Sequence, residues 1–304
     1  MSKQAYYSHL KSGDKKNLLE SLIVDFVHSV RRVLSRLGCR KLWLLHLELF
    51  PKYGHAVVGR DYFFRILKRH NLLVKRKKSN KPHSTYSKHG YAVKPNMIKD
   101  LDITVPNQVY VTDVTWIWVY DRWSYLALVT DKYSRKIVGW GFREDHSHRL
   151  IKEAIDKALK DNKSHKPIIL HSDRGSEFCC HELIDHLQKK GVLSSMTDAD
   201  HCAQNALAER MNGIIKQEFV PVEGYASFGS AKAAISYAIN LFNTARPHEA
   251  LGMVTPVQVH NGNYNNKGER IKSSRGKTKS AGEVIESLLG NSPLFMQIVS
   301  KSMA

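Results

Sequence analysis

Gln108-Val-Tyr-Val-Thr-Asp-Val-Thr-Trp-Ile-Trp-Val119 is the stretch at which the periodicity of this 304-residue chain changes. Val109, Val111, Val114, Ile117 and Val119 set apolar positions along an extended segment rich in β-branched and aromatic residues, which predicts a strand. Tyr125 to Thr130 predicts a second strand and Ile137 to Phe142 a third, with Asp131-Lys-Tyr-Ser-Arg135 as the turn between them. Further on, Leu150, Ile151, Ala154, Ile155, Ala158 and Leu159 recur at helical spacing, which predicts an amphipathic helix over His148 to Lys160. Pro167 to Leu170 reads as a short buried strand, Glu182 to Lys190 as a helix, Val192 to Met196 as a fifth strand and Ala203 to Phe219 as a long helix.

Three strands in a hairpin series, followed by alternating helices and strands, is the element order of a ribonuclease-H-like α/β fold, a mixed five-stranded sheet with flanking helices. Upstream the pattern is helical throughout. Leu18, Leu22, Val24, Phe26, Val30, Val33, Leu34 and Leu37 mark one helix that stops near Gly38. Arg40 to Phe50 gives a second, Pro51 to Gly54 a turn, and Val58 to Asn71 a third. Arg60, Arg65, Lys68 and Arg69 surround the apolar stripe of that third helix. A short helix, a glycine-containing turn and a basic helix resemble a helix-turn-helix, the alternative being a small bundle with a solvated basic face. The expected division is a helical DNA-binding region over 1–74, a basic linker over 75–104, a catalytic core over 105–262, and a basic tail with a short helix over 263–304.

Charge is distributed unevenly along the chain. Residues 1–100 hold 22 basic and 6 acidic side chains, residues 101–265 hold 18 and 19, and residues 266–304 hold 7 and 3. The net +19 therefore sits on the two ends. This is the footprint of polyanion-binding ends around a near-neutral core. Lys75-Arg76-Lys77-Lys78 opens the linker and is expected to contact phosphate. No apolar run reaches transmembrane length, and no signal-peptide core opens the chain. Four irregularly spaced cysteines make no disulfide framework, and the pairs Cys179-Cys180 and His201-Cys202 have poor spacing for zinc. A cytoplasmic, nucleoid-associated protein is expected, with no membrane partner.

Three acids stand at the edges of predicted core elements: Asp113 in the first strand, Asp173 just after Ile168-Ile-Leu-His171, and Glu209 on the long helix. Each has an ordinary structural reading: a capping Asp, a turn Asp, a solvated helix Glu. Together they make an all-oxygen ligand set for hard divalent cations. Two cations about 3.5–4 Å apart can activate an attacking oxygen and stabilise a leaving one. Strands one and four, if adjacent, would bring the aspartates together. Asp131, Glu177 and Glu218 are rivals, and Asp113 is preferred to Asp131 because a turn aspartate already has a structural task. Asn205, Glu209, Asn212 and Lys216 share one helix face, opposite Leu207, Met211, Ile214 and Ile215. That places Lys216 where it can reach a phosphate.

The acid spacing, His171-Ser-Asp-Arg-Gly-Ser176, Asn205-Ala-x-x-Glu209 with Lys216 seven residues later, and Phe242-Asn-Thr-Ala-Arg246-Pro-His248-Glu-Ala-Leu-Gly252 before Thr255-Pro256 resemble the second-frame (OrfB) transposases of the bacterial IS-three insertion-sequence family. The resemblance covers roughly residues 5–260, and the opening Gln4-Ala-Tyr-Tyr7 fits it. It implies an integrase-type core in which Asp113, Asp173 and Glu209 are both the catalytic acids and the metal ligands. Two Mg²⁺ ions are implied, with Mn²⁺ able to substitute. It also implies double-stranded DNA as partner, both terminal inverted repeats and target, and a homo-oligomer acting on it through a circular intermediate. Asn205, Lys216, Arg246 and His248 are placed among the DNA-contacting residues. An upstream-frame protein or fusion partner with a helix-turn-helix and a leucine zipper is a further implied partner. The chain departs from the pattern at Gln204, often Asp in the family, and at Glu177-Phe178, more usually Gln-Tyr.

The leading expectation is thus a metal-dependent DNA transposase. A non-catalytic DNA-binding regulator and a ribonuclease-H-like nuclease that cuts without joining are the alternatives. Strand-transfer assays with Mg²⁺ separate the three.

Overall fold

The computed structural model describes residues 3–75, 90–160, 162, 167–199, 202–272, 278–290 and 292–300, without the side chains of 3–13, 202, 294 and 297. In chain order its principal elements are α1 (Lys3–Val33), α2 (Cys39–Leu49), α3 (Arg60–Arg69), β1 (Val109–Val119), β2 (Arg122–Asp131), β3 (Ile137–Arg143), α4 (His148–Lys160) and β4 (Ile168–Ser172). There follow α5 (Ser176–Cys179), α6 (His181–Lys189), β5 (Val192–Met196), α7 (Ala206–Glu218), α8 (Phe228–Thr244), α9 (Pro256–His260), α10 (Ala281–Leu289) and α11 (Pro293–Ser300). They form two compact units: Met1–Arg76 with Thr244–Pro247 and Lys279–Ala304, and Lys77–Asn243 with His248–Thr278. Among the described residues no helix is long and apolar enough to cross a membrane.

The second unit is built on one sheet of order β3-β2-β1-β4-β5. β1, β2 and β3 run antiparallel, as short connections between sequential strands allow, while β4 lies parallel to β1 and β5 parallel to β4. This is the mixed, ribonuclease-H-like sheet expected from the element order. One face buries Ala127, Val129, Leu150, Ile151, Ala154 and Leu183, closing α4 and α6 on the sheet. The other buries Ile117, Leu126, Met211, Ile215, Ile235 and Phe242, closing α7 and α8 on it. Two glycines set the distance of α4. A Cβ at Gly139 would lie 2.0 Å from the Ala154 carbonyl oxygen, and one at Gly141 2.3 Å from that of Leu150. Any side chain at either position would push the helix off β3.

The helical unit has a core of Phe26, Val30, Leu45, Leu49, Phe63 and Ile66. The chain's last segment belongs to it. α10 and α11 pack against α1, burying Ile285, Leu289, Phe295 and Ile298. α10 begins with a capping box in which the Ser280 hydroxyl accepts from Glu283 N–H at 3.0 Å and Glu283 accepts from Ser280 N–H at 2.7 Å. The Ser280 hydroxyl also donates to Glu48 of α2. The basic tail read from composition therefore ends in two packed helices, because its apolar residues recur at helical spacing.

Candidate active site

Parallel pairing of Tyr110 with Leu170 and Val111 with His171 sets the frame. Asp113 lies two residues beyond that pairing on β1 and Asp173 just past the end of β4, near enough for the charge of Asp173 to act on Asp113. β4 stops at Ser172, and the chain turns at once. Asp173 Oδ1 accepts from Gly175 N–H at 3.0 Å, an Asx turn that holds the carboxylate in place. Arg174 Nε donates to the Thr197 carbonyl at 2.7 Å and anchors the turn to the end of β5. The space over Gly175 is taken by Glu177, whose carboxylate would lie 2.7–2.8 Å from any Cβ there.

Glu209 comes from a helix. It is exposed on the first turns of α7, which packs on β1 and β2. Asn205, at the N-cap of α7, fastens that helix to the strand, its Nδ2 donating to the Thr112 carbonyl at 3.1 Å. One turn after Glu209, Asn212 is buried and donates from Nδ2 to Asp113 Oδ2 at 2.9 Å.

The charges of Asp173 and Glu209 act on Asp113, and those of Glu177 and Glu209 act on Asp173. Burial, and then the charge of Asp173, push the Asp113 carboxyl up to about 7, with Glu209 adding to the rise. Asp173 is pushed up to about 6, by burial first, with Glu177 and Glu209 adding. No lysine or arginine is among the main groups acting on either. Like charges on half-buried carboxylates are costly without a cation to offset them, and oxygen-only donors suit a hard divalent one. The residues present therefore fit such an ion. The acids are not drawn into tight ligand contact: among the described residues only His148, Cys180 and Glu182 bring three donor atoms within 4.8 Å of one another.

Asp131 serves the fold. It is buried, accepting at Oδ1 from Ser134 N–H and Oγ–H, both at 2.6 Å, and at Oδ2 from Asn107 N–H at 2.7 Å. Glu177 pairs with His146 at 3.3 Å, and the His146 ring stacks on Tyr125 at 4.8 Å. His146 is pulled upward in pKa, first by Glu177. Neither His146 nor the Asn212–Asp113 bond was foreseen. Asn212 had a signal, its place one turn from Glu209. His146 had none, since it reaches Glu177 only through the packing of the sheet.

The expected DNA-contacting residues divide by burial. Arg60, Arg65, Lys68 and Arg69 are exposed, and they lie opposite buried Phe63, Ile66 and Leu67 on α3. Arg69 is already held by both Glu20 carboxylate oxygens at 2.7 Å, and Arg60 by Asp61 at 3.0 Å. Lys75 is exposed, and its carbonyl accepts from Arg36. Arg76, Lys77 and Lys78 lie outside the described residues. Lys216 is half-buried, its pKa lowered by that burial, and lines the groove that holds Asp113 and Glu209. Asn205 is 2% exposed, Arg246 4% and His248 4%, unlike the exposed cations of α3. Asn205 braces α7 to β1, and His248 packs edge-on against Phe242 at 4.6 Å between ring centres. The Gln204 departure is also structural: its amide bonds Asp198 and Asn96 and ties two loops together.

The chain matches the integrase core domain family over residues 104–202 and a second integrase core domain family over residues 190–256. It is 30% identical to a 31 kDa protein of insertion element IS600 from Shigella sonnei, over 84% of this chain and 94% of that protein. It is also 30% identical to the transposase InsF of insertion sequence IS3A from Escherichia coli, over 70% of this chain and 76% of that one. Similar solved structures include a simian T-cell lymphotropic virus intasome chain, with a TM-score of 0.44, 15% identity and 67% of each chain covered. Another is the HTLV-2 integrase catalytic core domain in complex with magnesium, with a TM-score of 0.40, 20% identity, and 51% of this chain and 97% of that one covered. An integrase core, matched over most of its length to proteins of insertion elements, places the chain in the IS3-type (OrfB) insertion-sequence transposases, DNA transposases of the DDE type.

Proposed function

We propose that Asp113, Asp173 and Glu209 are the ligands for divalent metal, Mg²⁺, and that the site performs both cleavage and joining at the ends of an insertion sequence. In cleavage, water attacks the phosphorus at the element end, the bond to the 3′ oxygen breaks, and a 3′-hydroxyl is released. In joining, that hydroxyl attacks a phosphodiester of the receiving strand, so one P–O bond forms as another breaks. Divalent cations held by Asp113, Asp173 and Glu209 would lower the pKa of the attacking hydroxyl or water and offset charge on the departing oxygen. The protein's part is geometric. Asn212 orients Asp113, the Gly175 N–H orients Asp173, and Glu209 closes the set from α7. Lys216 offers a point charge to the adjacent phosphate.

The observation that carries this reading is the bond from Asn212 of α7 to Asp113 of β1, which sets the helix of Glu209 beside Asp113, with the charges of Asp173 and Glu209 both acting on that carboxyl. The exposed cations of α3, together with the linker, hold the flanking duplex. As the chemistry of two element ends requires, the protein works as an oligomer on DNA. Incubation of labelled element-end DNA with the protein and Mg²⁺ tests the proposal. Nicked and joined products are both expected. Nicked products alone would mean a nuclease, and no products would leave a DNA-binding regulator.

A further inference from the structure

β1 carries a second feature beside the acids. Its pairing with β4 ends at Val111, and its next partner on that side is a single bridge from Val119 to Tyr225. A groove of about 540 Å³ is lined by Asp113, Glu209 and Lys216 and also by Trp116, Trp118 and Trp123. Trp123 of β2 faces Trp118 across the strands, with ring centres 5.0 Å apart, and lies 6.0 Å from Trp116 on the diagonal, both edge-on. Trp123 is 45% exposed. Three of the chain's five tryptophans are thus gathered on one strand pair, and one of them stands open to solvent. Burial would be the ordinary fate of so large an apolar surface.

Resting on the proposed function, we infer that this groove receives unstacked bases of the DNA strand whose phosphate lies at the acids, with Trp123 as the stacking surface. Continuity decides the occupant. A strand positioned for attack at Asp113 and Glu209 has to leave along the groove that these residues line. The volume is that of a small-molecule site, which suits one or two splayed nucleotides and not a duplex. Aromatic faces accept any base, and each base stacked on one strengthens binding by about tenfold. An enzyme that must reach the terminal phosphates of a duplex gains from holding end bases out of the stack.

The full-length protein is titrated in chelator, where no cleavage occurs, with oligothymidylate and with an abasic oligonucleotide of equal length. Oligothymidylate should quench tryptophan emission. Trp123→Ala should weaken its binding by about tenfold while leaving abasic binding unchanged, and Trp123→Phe should restore most of the loss. With Mg²⁺, Trp123→Ala should slow joining, and Glu209→Gln, which joins nothing, should still be quenched normally. Equal binding of the two oligonucleotides, or an unchanged Trp123→Ala variant, would overturn the inference. So would a spectral response to a strand-forming apolar peptide with none to oligothymidylate, which would assign the edge to a protein strand. Because quenching is read without catalysis, a wild-type protein that joins nothing would refute the transposase chemistry and leave this result standing.

Discussion

Asn212 Nδ2 donates to Asp113 Oδ2 at 2.9 Å, linking the middle of α7 to the middle of β1 at the point where charge is most costly. The bond favours the ionised carboxylate and partly offsets the upward pressure of burial and of Asp173. Asn212→Ala should therefore raise the Mg²⁺ concentration needed for half-maximal joining by about 10–100-fold, the usual cost of losing a ligand's orienting partner. It should also move the acid limb of the pH–rate profile to higher pH. A fall in rate at saturating Mg²⁺ with an unmoved pH limb would mean that Asn212 only holds the helix in place.

The burial of Asp113 makes the metal-free site a source of instability. Its folded-state pKa of about 7 exceeds the ordinary carboxyl value, so the folded protein binds more protons than the unfolded one in between. Stability contributed there is present at low pH and is lost as pH rises through 7. In chelator, Asp113→Asn should raise the melting temperature at pH 8 by about 5 °C and should change it much less at pH 5. Equal shifts at both pH values would show that repulsion and desolvation are not the cause.

Glu209→Gln should abolish joining and leave DNA affinity within about twofold. Affinity in this class of complex comes from phosphate contacts by basic residues, and Glu209 is an exposed acid. Gel-shift and strand-transfer assays on the same preparation check it. A parallel loss of affinity and activity would move Glu209 out of the catalytic role.

Arg60, Arg65 and Lys68 are exposed on one side of α3, opposite its buried residues. Changing all three to Ala should reduce the slope of log affinity against log salt by about 0.9 for each phosphate that is no longer neutralised. Arg69→Ala should contribute less, because its guanidinium is already held by Glu20. An unchanged slope would locate the duplex elsewhere on the protein.

His46 lies fully buried in the helical unit, with Phe50 and Phe63 at 4.1 and 5.2 Å between ring centres, and its Nε2 accepts from Val58 N–H at 3.1 Å. Burial holds its pKa down to about 4. Between there and the ordinary value near 6.5 the unfolded chain binds the extra proton, so stability is present above 6.5 and is lost as pH falls toward 4. The group's full share is about 3 kcal/mol. His46→Gln should flatten the acid side of the melting-temperature profile. An identical acid slope in the variant would refute the assignment.

What could be read from residues alone was whatever depends on short-range pattern. The alternation from Val109, the stripe of α4 and the step from β4 into the Asp173 turn pointed to the sheet and to two of the acids. The preference for Asp113 over Asp131 follows from turn chemistry, and Asp131 accepts from Asn107 and Ser134 around that turn. Burial was harder to foresee. Asn205, Arg246 and His248 are polar residues in a recognisable pattern, and polarity suggested surface. Their side chains are instead buried, Asn205 through a bond to Thr112, 93 residues away. Helical periodicity also set Asn212 on a polar face without showing that the face bears on β1. The tail reads as basic with one short helix, whereas Ile285, Leu289, Phe295 and Ile298 are buried in two.

The membership of α10 and α11 in the first unit has a consequence for synthesis. The ribosome completes α3 about 210 residues before it reaches α10, an interval of ~10–40 s at ordinary elongation rates. During that time the whole sheet can emerge and close while α1 and α2 still lack the apolar partners that cover them. The order of assembly is therefore inverted along the chain: the part made first is finished last. A polypeptide released early, short of Ala281, would carry the three acids and their sheet but lack the two helices that pack on α1.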